Sequence, residues 1–103
     1  MKRGEIRWYK FKRPDKKRPV LILTRSSAIE YLGEVTVAPI TTTIRDIPSE
    51  TVLSGEDGMS RECAINLDHV QTVSKGRLGA RITELPPARL REVSRALSFA
   101  LDL

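Results

Sequence analysis

The chain has few of the residues that build metal centres and catalytic triads. Its 103 residues include one cysteine and one histidine, and no carboxylates cluster at metal-ligand spacing. His69, the single candidate base of a triad, has no identifiable serine or cysteine partner. A glycine-rich phosphate loop is also missing, because Gly76 and Gly79 have only the spacing of turn glycines. We therefore expect no metal and no cofactor.

Long hydrophobic runs are missing as well. The longest, Val20-Leu21-Ile22-Leu23, is the length of a strand, whereas a membrane span needs about 20 apolar residues. The first five residues, Met1-Lys2-Arg3-Gly4-Glu5, do not resemble a signal-peptide core. A lone Cys63 cannot form an internal disulfide, which suits a reducing compartment. These features predict a cytoplasmic protein without a membrane partner, in which Cys63 is a small buried strand residue.

Length and charge narrow the class further. A chain of 103 residues with 40% hydrophobic and 30% charged residues predicts one globular domain over residues 1–103. The net charge is +5, but the first 18 residues hold nine Lys or Arg and two acids, so the remainder is slightly acidic. A basic segment on a near-neutral body is typical of a site for a polyanion, either nucleic acid or an acidic protein tail. A solvated, solubilising edge is the alternative interpretation.

The hydrophobic pattern predicts many short strands followed by one helix. A helical turn over 28–32, capped by Ser26 or Ser27, interrupts the strands. A C-terminal amphipathic helix over 87–101 carries an apolar stripe of Leu90, Val93, Leu97 and Leu101. The predicted strands cover 5–12, 20–24, 34–41, 51–53, 63–67, 70–73 and 81–82. This order is typical of a mostly antiparallel β-barrel with a helix packed against it.

The first strand alternates, with Ile6 and Trp8 on one face and Arg7, Tyr9 and Phe11 on the other. Its aromatic residues are better explained by packing within the sheet than by stacking on bases.

Two short segments stand out as candidate sites. Arg18 precedes a proline at the mouth of an apolar strand, in Arg18-Pro19-Val20-Leu21-Ile22. The other segment, Pro39-Ile40-Thr41-Thr42-Thr43, is a strand end rich in hydroxyls. Taken alone, each also fits a structural explanation, because arginine is common at surfaces and threonine is common in strands.

Five motifs in order resemble those of the MazF/PemK toxins. Relatives in that family carry RG(D/E)I, RPVLV, PIT(S/T), DQ-x-RT and a terminal amphipathic helix. The corresponding segments here span nearly the whole chain: Arg3-Gly4-Glu5-Ile6, Arg18-Pro19-Val20-Leu21-Ile22, Val37-Ala38-Pro39-Ile40-Thr41-Thr42, Asp68-His69-Val70-Gln71-Thr72-Val73 and the helix to Leu101. The resemblance implies a small SH3-like β-barrel with a C-terminal helix, a homodimer, and a toxin that cleaves single-stranded RNA without metal and is neutralised by a cognate antitoxin.

The same resemblance implies a site. The family's catalytic positions fall on Arg18 and Thr41. A guanidinium fork matches phosphate oxygens, and a threonine hydroxyl can donate a further hydrogen bond to the same group. Side chains expected to contact RNA are Lys12, Lys16, Lys17, Thr42 and Gln71.

This chain departs from the family pattern in two places. The loop before Arg18 is short and basic and lacks the family's Gly-x-Glu element, which leaves the general acid and base unassigned. His69 stands where glutamine is usual, and Gln71 where arginine is usual. We expect Asp68 to hydrogen-bond backbone and His69 to be structural, and keep both as candidate accessory residues.

Two other functions remain open on the sequence alone. One is a non-enzymatic inhibitor of DNA gyrase, resembling the toxin CcdB on the same fold. The other is a simple nucleic-acid-binding barrel. Fold by itself does not separate them from a ribonuclease.

Overall fold

The computed structural model describes residues 1–11 and 17–103. Two α-helices lie in this part of the chain, α1 at Ser26–Ile29 and α2 at Pro87–Leu101. The strands, in chain order, are β1 Glu5–Lys10, β2 Lys17–Ile22, β3 Glu34–Thr41, β4 Glu50–Leu53, β5 Cys63–Asn66, β6 Gln71–Ser74 and β7 Leu78–Glu84. Three short 3-10 turns cover Gly55–Asp57, Leu67–His69 and Lys75–Arg77.

All strand pairings are antiparallel, in the order β4-β5-β3-β2-β1-β7. The long strand β3 divides its free edge between two partners. It pairs with β6 as far as Val37 and with β5 from Ile40, and Pro39 lies between the two. Within residues 1–11 and 17–103 no pairing joins β4 to β7. The predicted mainly β, antiparallel class is therefore confirmed, but the sheet does not close into a barrel.

The two faces of the sheet build two hydrophobic cores, because successive side chains of a strand point to opposite faces. The larger core packs against α2 through Val93 and Ala96 and contains the fully buried Ile6 and Leu21. The smaller core lies on the other face and is made of Tyr9, Val20, Ile22, Ile29, Val35, Val37 and Val73. Ile6 and Tyr9 thus lie on opposite faces of β1, as the alternation predicts.

Several strands and helices begin or end at residues other than those predicted. Strand β2 begins at Lys17, three residues before the predicted start, and β7 extends over Leu78–Glu84 where only 81–82 was expected. The predicted serine cap of α1 is wrong. Arg25 is the N-cap residue without a capping hydrogen bond, and the Ser26 hydroxyl instead accepts the backbone N–H of Arg3 (2.9 Å).

The apolar stripe of α2 is shorter than predicted. Leu90 and Leu97 pack on the larger core. Leu101 is 51% exposed, because the helix reaches past the edge of that core.

The segment Arg3-Gly4-Glu5 holds the helices to the sheet. The Arg3 guanidinium donates to the Leu23 carbonyl and to the Ser94 hydroxyl of α2. Gly4 adopts φ +96°, and a Cβ there would lie 2.9 Å from Leu90 Cδ1. Glycine is therefore required at this position both by its backbone conformation and by the close approach of α2.

Glu5 is a buried carboxylate with a charged partner. Its side chain is 6% exposed, and its Oε1 accepts from Arg7 Nε at 2.9 Å, with Arg81 3.9 Å from Oε2. Burial by itself raises the pKa of the Glu5 carboxyl. The hydrogen bond and charge of Arg7 outweigh burial and hold this pKa below its ordinary value of 4.5.

We expect Glu5 to make the fold acid-sensitive. A carboxyl with a lowered folded pKa stabilises the native state above the unfolded pKa, and this contribution is lost as pH falls from 4.5 through the folded value. Glu5→Gln should lower the free energy of unfolding at pH 7 by about 1–3 kcal/mol and flatten its dependence on pH below 4.5. Urea unfolding measured across pH tests this, with the exposed Glu34→Gln as control. An unchanged pH profile in Glu5→Gln contradicts it.

Candidate active site

Arg18 and Thr41 lie at the same end of two paired strands, although they are 23 positions apart in the sequence. In the β2–β3 pair, Val20 lies opposite Pro39 and Leu21 opposite Ala38. The paired residues end at Val20 and Pro39, and the same register continued by two residues would place Arg18 opposite Thr41. Directly opposite residues of an antiparallel pair share a sheet face, with Cβ atoms about 4.5–5.5 Å apart. Both predicted catalytic residues therefore lie at the same end of the strand pair, where β2 begins and β3 ends.

The same row continues into β1. Arg18 lies opposite Tyr9, whose ring is buried in the smaller core and meets Phe11 edge-on at 4.7 Å between centroids. The guanidinium carbon of Arg77 lies 5.6 Å from the centre of the Tyr9 ring, and Arg77 also donates to the Lys10 carbonyl (3.3 Å). Tyr9 thus contacts the Arg77 guanidinium through its ring and lies opposite Arg18 in the strand pair.

The positive charge at this edge is dense. Lys10 and Lys17 lie directly opposite each other, a like-charge pairing that disfavours the strand pair in the absence of an anion. We call the four exposed cations at these strand ends, Lys10, Lys17, Arg18 and Arg77, the basic rim. Among residues 1–11 and 17–103, none of the four forms an ion pair. Such a surface is suited to a bound polyanion.

The Thr41 hydroxyl can donate a hydrogen bond to a bound ligand. Thr41 Oγ1 accepts the backbone N–H of Thr43 at 3.1 Å. Because a hydroxyl both donates and accepts, an acceptor contact on this oxygen leaves its proton available for another partner. The Thr41 side chain is half-buried, whereas that of Thr42 is exposed.

The remaining predicted RNA contacts are placed unevenly. Lys17 belongs to the basic rim. Lys12 and Lys16 fall outside the described residues. Gln71 lies opposite Val37, on the sheet face that carries Thr41 but four positions earlier along β3. This separation is about 13 Å in an extended strand, so Gln71 can reach a different part of a bound chain from the part at Arg18.

Asp68 and His69 stand apart from this row. Both belong to the turn Leu67–His69 between β5 and β6, and the Asp68 carboxylate accepts the Ser49 hydroxyl at 2.5 Å. Ser49 directly precedes β4, which is three strand positions from β2. We expected the Asp68 side chain to hydrogen-bond backbone, but its partner is the side chain of Ser49. This contact joins the turn to the residue that precedes β4.

Sequence reasoning missed two features, the place of Arg77 in the basic rim and the exposure of Trp8. Arg77 joins the rim only because Leu78 pairs with Tyr9, and this long-range register has no local sequence signal. The expectation that the first-strand aromatics pack in the sheet is confirmed for Tyr9 and Phe11. Trp8 departs from it, since 38% of its surface is exposed at a cleft of about 270 Å³ beside Thr41 and Thr42.

Cys63 behaves as predicted. It is buried in β5, and burial, reinforced by the nearby charge of Asp57, raises the pKa of its thiol. A raised pKa disfavours the reactive thiolate. The described part of the chain contains no group of three or more His, Cys, Asp or Glu placed to hold a metal ion. Neither helix in that part is long and apolar enough to cross a bilayer.

Comparison with known families and proteins agrees with the resemblance seen in the sequence motifs. Residues 2–101 match the family described as PemK-like, MazF-like toxin of type II toxin-antitoxin system. A protein of Mycobacterium tuberculosis named probable endoribonuclease MazF5 is 43% identical over 101 residues, covering 97% of this chain and 92% of that protein.

Solved structures of similar proteins agree in fold. The Mycobacterium tuberculosis toxin MazF-mt6 superposes with a TM-score of 0.88 at 34% identity, covering 96% of this chain and 97% of that one. An endoribonuclease in complex with its cognate antitoxin, from Mycobacterial species, superposes with a TM-score of 0.89 at 26% identity, covering 100% of this chain and 96% of that one.

Proposed function

Since this chain belongs to the PemK-like, MazF-like toxin family of type II toxin–antitoxin systems, we propose that it is a toxin endoribonuclease that cleaves single-stranded RNA in the cytoplasm. The observation that supports this proposal best is the antiparallel pairing of β2 with β3, in which Arg18 and Thr41 belong to the same end of the pair. The relatives' printed activity favours RNA cleavage over gyrase inhibition or simple nucleic-acid binding.

The reaction proposed at the basic rim is an internal transesterification, in which the RNA supplies its own nucleophile. The ribose 2′-oxygen attacks the adjacent phosphorus and loses its proton, the bond from phosphorus to the 5′-oxygen breaks, and that oxygen gains a proton. The products are a 2′,3′-cyclic phosphate and a 5′-hydroxyl. Negative charge grows on the phosphoryl oxygens, where the Arg18 fork and the Thr41 hydroxyl donate. Lys10, Lys17 and Arg77 hold the flanking backbone by charge.

Incubation of the purified protein with RNA, in the presence of EDTA, tests this proposal directly. We expect cleavage that persists in EDTA and leaves 5′-hydroxyl ends. A supercoiling assay with DNA gyrase run in parallel covers the alternative function. Inhibition of gyrase with intact RNA would overturn the proposal.

An antitoxin is the proposed protein partner. A solved neighbour is an endoribonuclease bound to its cognate antitoxin. The basic rim offers an acidic antitoxin segment the same cations that RNA uses, so binding should block cleavage by competition. The affinity of the antitoxin for the Lys17→Glu variant measures this contact. An unchanged affinity would place the antitoxin contact away from the basic rim.

A homodimer through α2 and β4 completes the proposal. A groove of about 490 Å³ runs between these elements, and Val52 and Phe99 line it together with the charged side chains of Glu50, Arg89, Glu92 and Arg95. Phe99 is 62% exposed and Val52 39%. Large exposed apolar side chains bordered by charged ones are typical of an interface with another molecule, and a second copy of the chain can cover this surface symmetrically.

We expect Phe99→Ser to convert the dimer to monomer at micromolar concentration. Loss of a large aromatic side chain from the centre of an interface commonly costs about 2 kcal/mol or more. Sedimentation equilibrium measures the change. The matched control is Tyr31→Ser, which removes an aromatic side chain that is 80% exposed but lies at the end of α1. A Phe99→Ser protein that remains dimeric, or a monomeric wild type, contradicts this interface.

A further inference from the structure

Glu50, the first residue of β4, carries a buried oxygen without a hydrogen-bond partner. Among residues 1–11 and 17–103, its Oε2 is the one buried side-chain oxygen or nitrogen in this condition. A buried carboxylate oxygen that accepts no hydrogen bond costs free energy. Proteins retain such a cost where a functional requirement outweighs it. The other oxygen of the same carboxylate shows what that requirement is.

Glu50 Oε1 binds two consecutive backbone N–H groups of the segment that precedes β4. It accepts from Arg45 N at 2.9 Å and from Asp46 N at 3.1 Å. Asp46 adopts φ +56°, a left-handed conformation that is uncommon for residues other than glycine. Conformations of this kind persist where surrounding contacts fix them, and they are concentrated at functional sites. Glu50 therefore fixes a strained turn in the connection between β3 and β4.

This connection, residues 42–49, begins directly after Thr41. Strand β5 lies between β3 and β4, so the connection crosses from one side of β5 to the other. Its far end is held by Ser49, which is buried, and by the N–H of Glu50, which donates to the Ile47 carbonyl at 3.0 Å. The connection is thus fixed over its second half by Glu50 and its neighbours.

The first half of the connection bears on the candidate catalytic hydroxyl. The N–H of Thr43 donates to Thr41 Oγ1 at 3.1 Å, and Arg45, which Glu50 holds, is two residues further along the chain. The place of the Thr43 N–H determines which lone pair of the Thr41 oxygen is occupied, and hence where the hydroxyl proton can point. A misplacement of about 1 Å can cost about 10²-fold in rate.

On this geometry we propose that Glu50 is a positioning residue for RNA cleavage. Its carboxylate orders residues 42–49 and thereby orients the Thr41 hydroxyl for donation to the scissile phosphate. This inference rests on the proposed ribonuclease function. A carboxylate repels the RNA backbone, so a favourable effect of Glu50 does not come from attraction of the substrate. The effect therefore belongs to kcat and not to KM.

The test measures kcat and KM for RNA cleavage by Glu50→Ala and Glu50→Gln. We expect kcat of Glu50→Ala to fall by about tenfold or more, with KM unchanged or lower, because alanine offers no acceptor to the turn. Glu50→Gln keeps a carbonyl oxygen and should retain most of kcat, although it loses the same charge. The matched control is Thr24→Val. It removes the acceptor of the Thr36 N–H (2.7 Å) near the start of β3, far from Thr41, and should keep the wild-type kcat.

A double-mutant cycle separates orientation of Thr41 from a general effect on the fold. If Glu50 acts through the Thr41 hydroxyl, Glu50→Ala should lower kcat by no more than about twofold once Thr41→Val has removed that hydroxyl. A further loss in the Thr41→Val protein as large as the loss in wild type overturns the inference, because Glu50 would then act independently of Thr41.

Amide hydrogen exchange of the wild-type protein adds a measurement that requires no variant to fold. The N–H groups of Arg45 and Asp46 should exchange slowly, although both side chains are exposed. Rapid exchange at both, or a wild-type kcat in Glu50→Ala, overturns the inference and leaves the ribonuclease function. Absence of RNA cleavage by the wild type overturns the function and with it the inference, even where both amides are protected.

Discussion

Arg18→Lys should reduce RNA cleavage by about 100-fold or more while weakening RNA binding only a few-fold. Lysine keeps the positive charge at the start of β2, so attraction to the backbone largely persists. It loses the planar fork that donates two hydrogen bonds to phosphoryl oxygens as charge develops on them. Removal of one such donor costs about 10²–10³ in kcat in other enzymes. Single-turnover cleavage and the affinity for uncleavable RNA separate the two effects.

Thr41 provides the matching comparison on the opposite strand. Thr41→Val keeps the shape but removes both the acceptor for the Thr43 N–H and the outward donor. Thr41→Ser keeps both. We therefore expect Thr41→Ser to retain far more activity than Thr41→Val. A control at Thr43, an exposed neighbour, tests for general disturbance of the strand end. Wild-type rates in both Arg18→Lys and Thr41→Val would remove this pair from the mechanism.

RNA with a single 2′-deoxy nucleotide on the 5′ side of the cut should be completely resistant, which is the largest effect expected. The nucleophile in the proposed step is the 2′-oxygen, so its removal deletes the reaction and not merely a contact. The basic rim should still bind the modified strand, because its cations contact phosphates and not the ribose hydroxyl. Gel analysis of cleavage, with competition binding on the same oligonucleotide, measures both outcomes.

The control for that experiment is the same RNA with the 2′-deoxy nucleotide moved several positions away, which should be cut normally. Cleavage at the modified position, or products ending in a 5′-phosphate, would show that water and not the ribose is the nucleophile. That result would exclude the internal-transfer step while leaving the family assignment intact.

The sequence was sufficient to predict which residues form which kind of element. The bounds of β3 and α2 agree with those expected from periodicity, because an eight-residue alternation and a four-turn apolar stripe are strong local patterns. Cys63 was expected in a buried strand and is found there. The ends of short elements were less predictable. The N-terminus of α1, for example, follows a tertiary contact, the hydrogen bond from Arg3 to Ser26.

The sequence by itself determined the mainly antiparallel class, the family and the two side chains of the candidate catalytic pair. Only the tertiary structure decided that Arg18 and Thr41 lie at the same end of the β2–β3 pair, that Arg77 stacks on Tyr9, and that Trp8 is partly exposed. Local alternation fixes the face on which a side chain lies, but not its partner strand, its register or what covers it. Those depend on contacts between residues far apart in the chain, and the candidate site is built from such contacts.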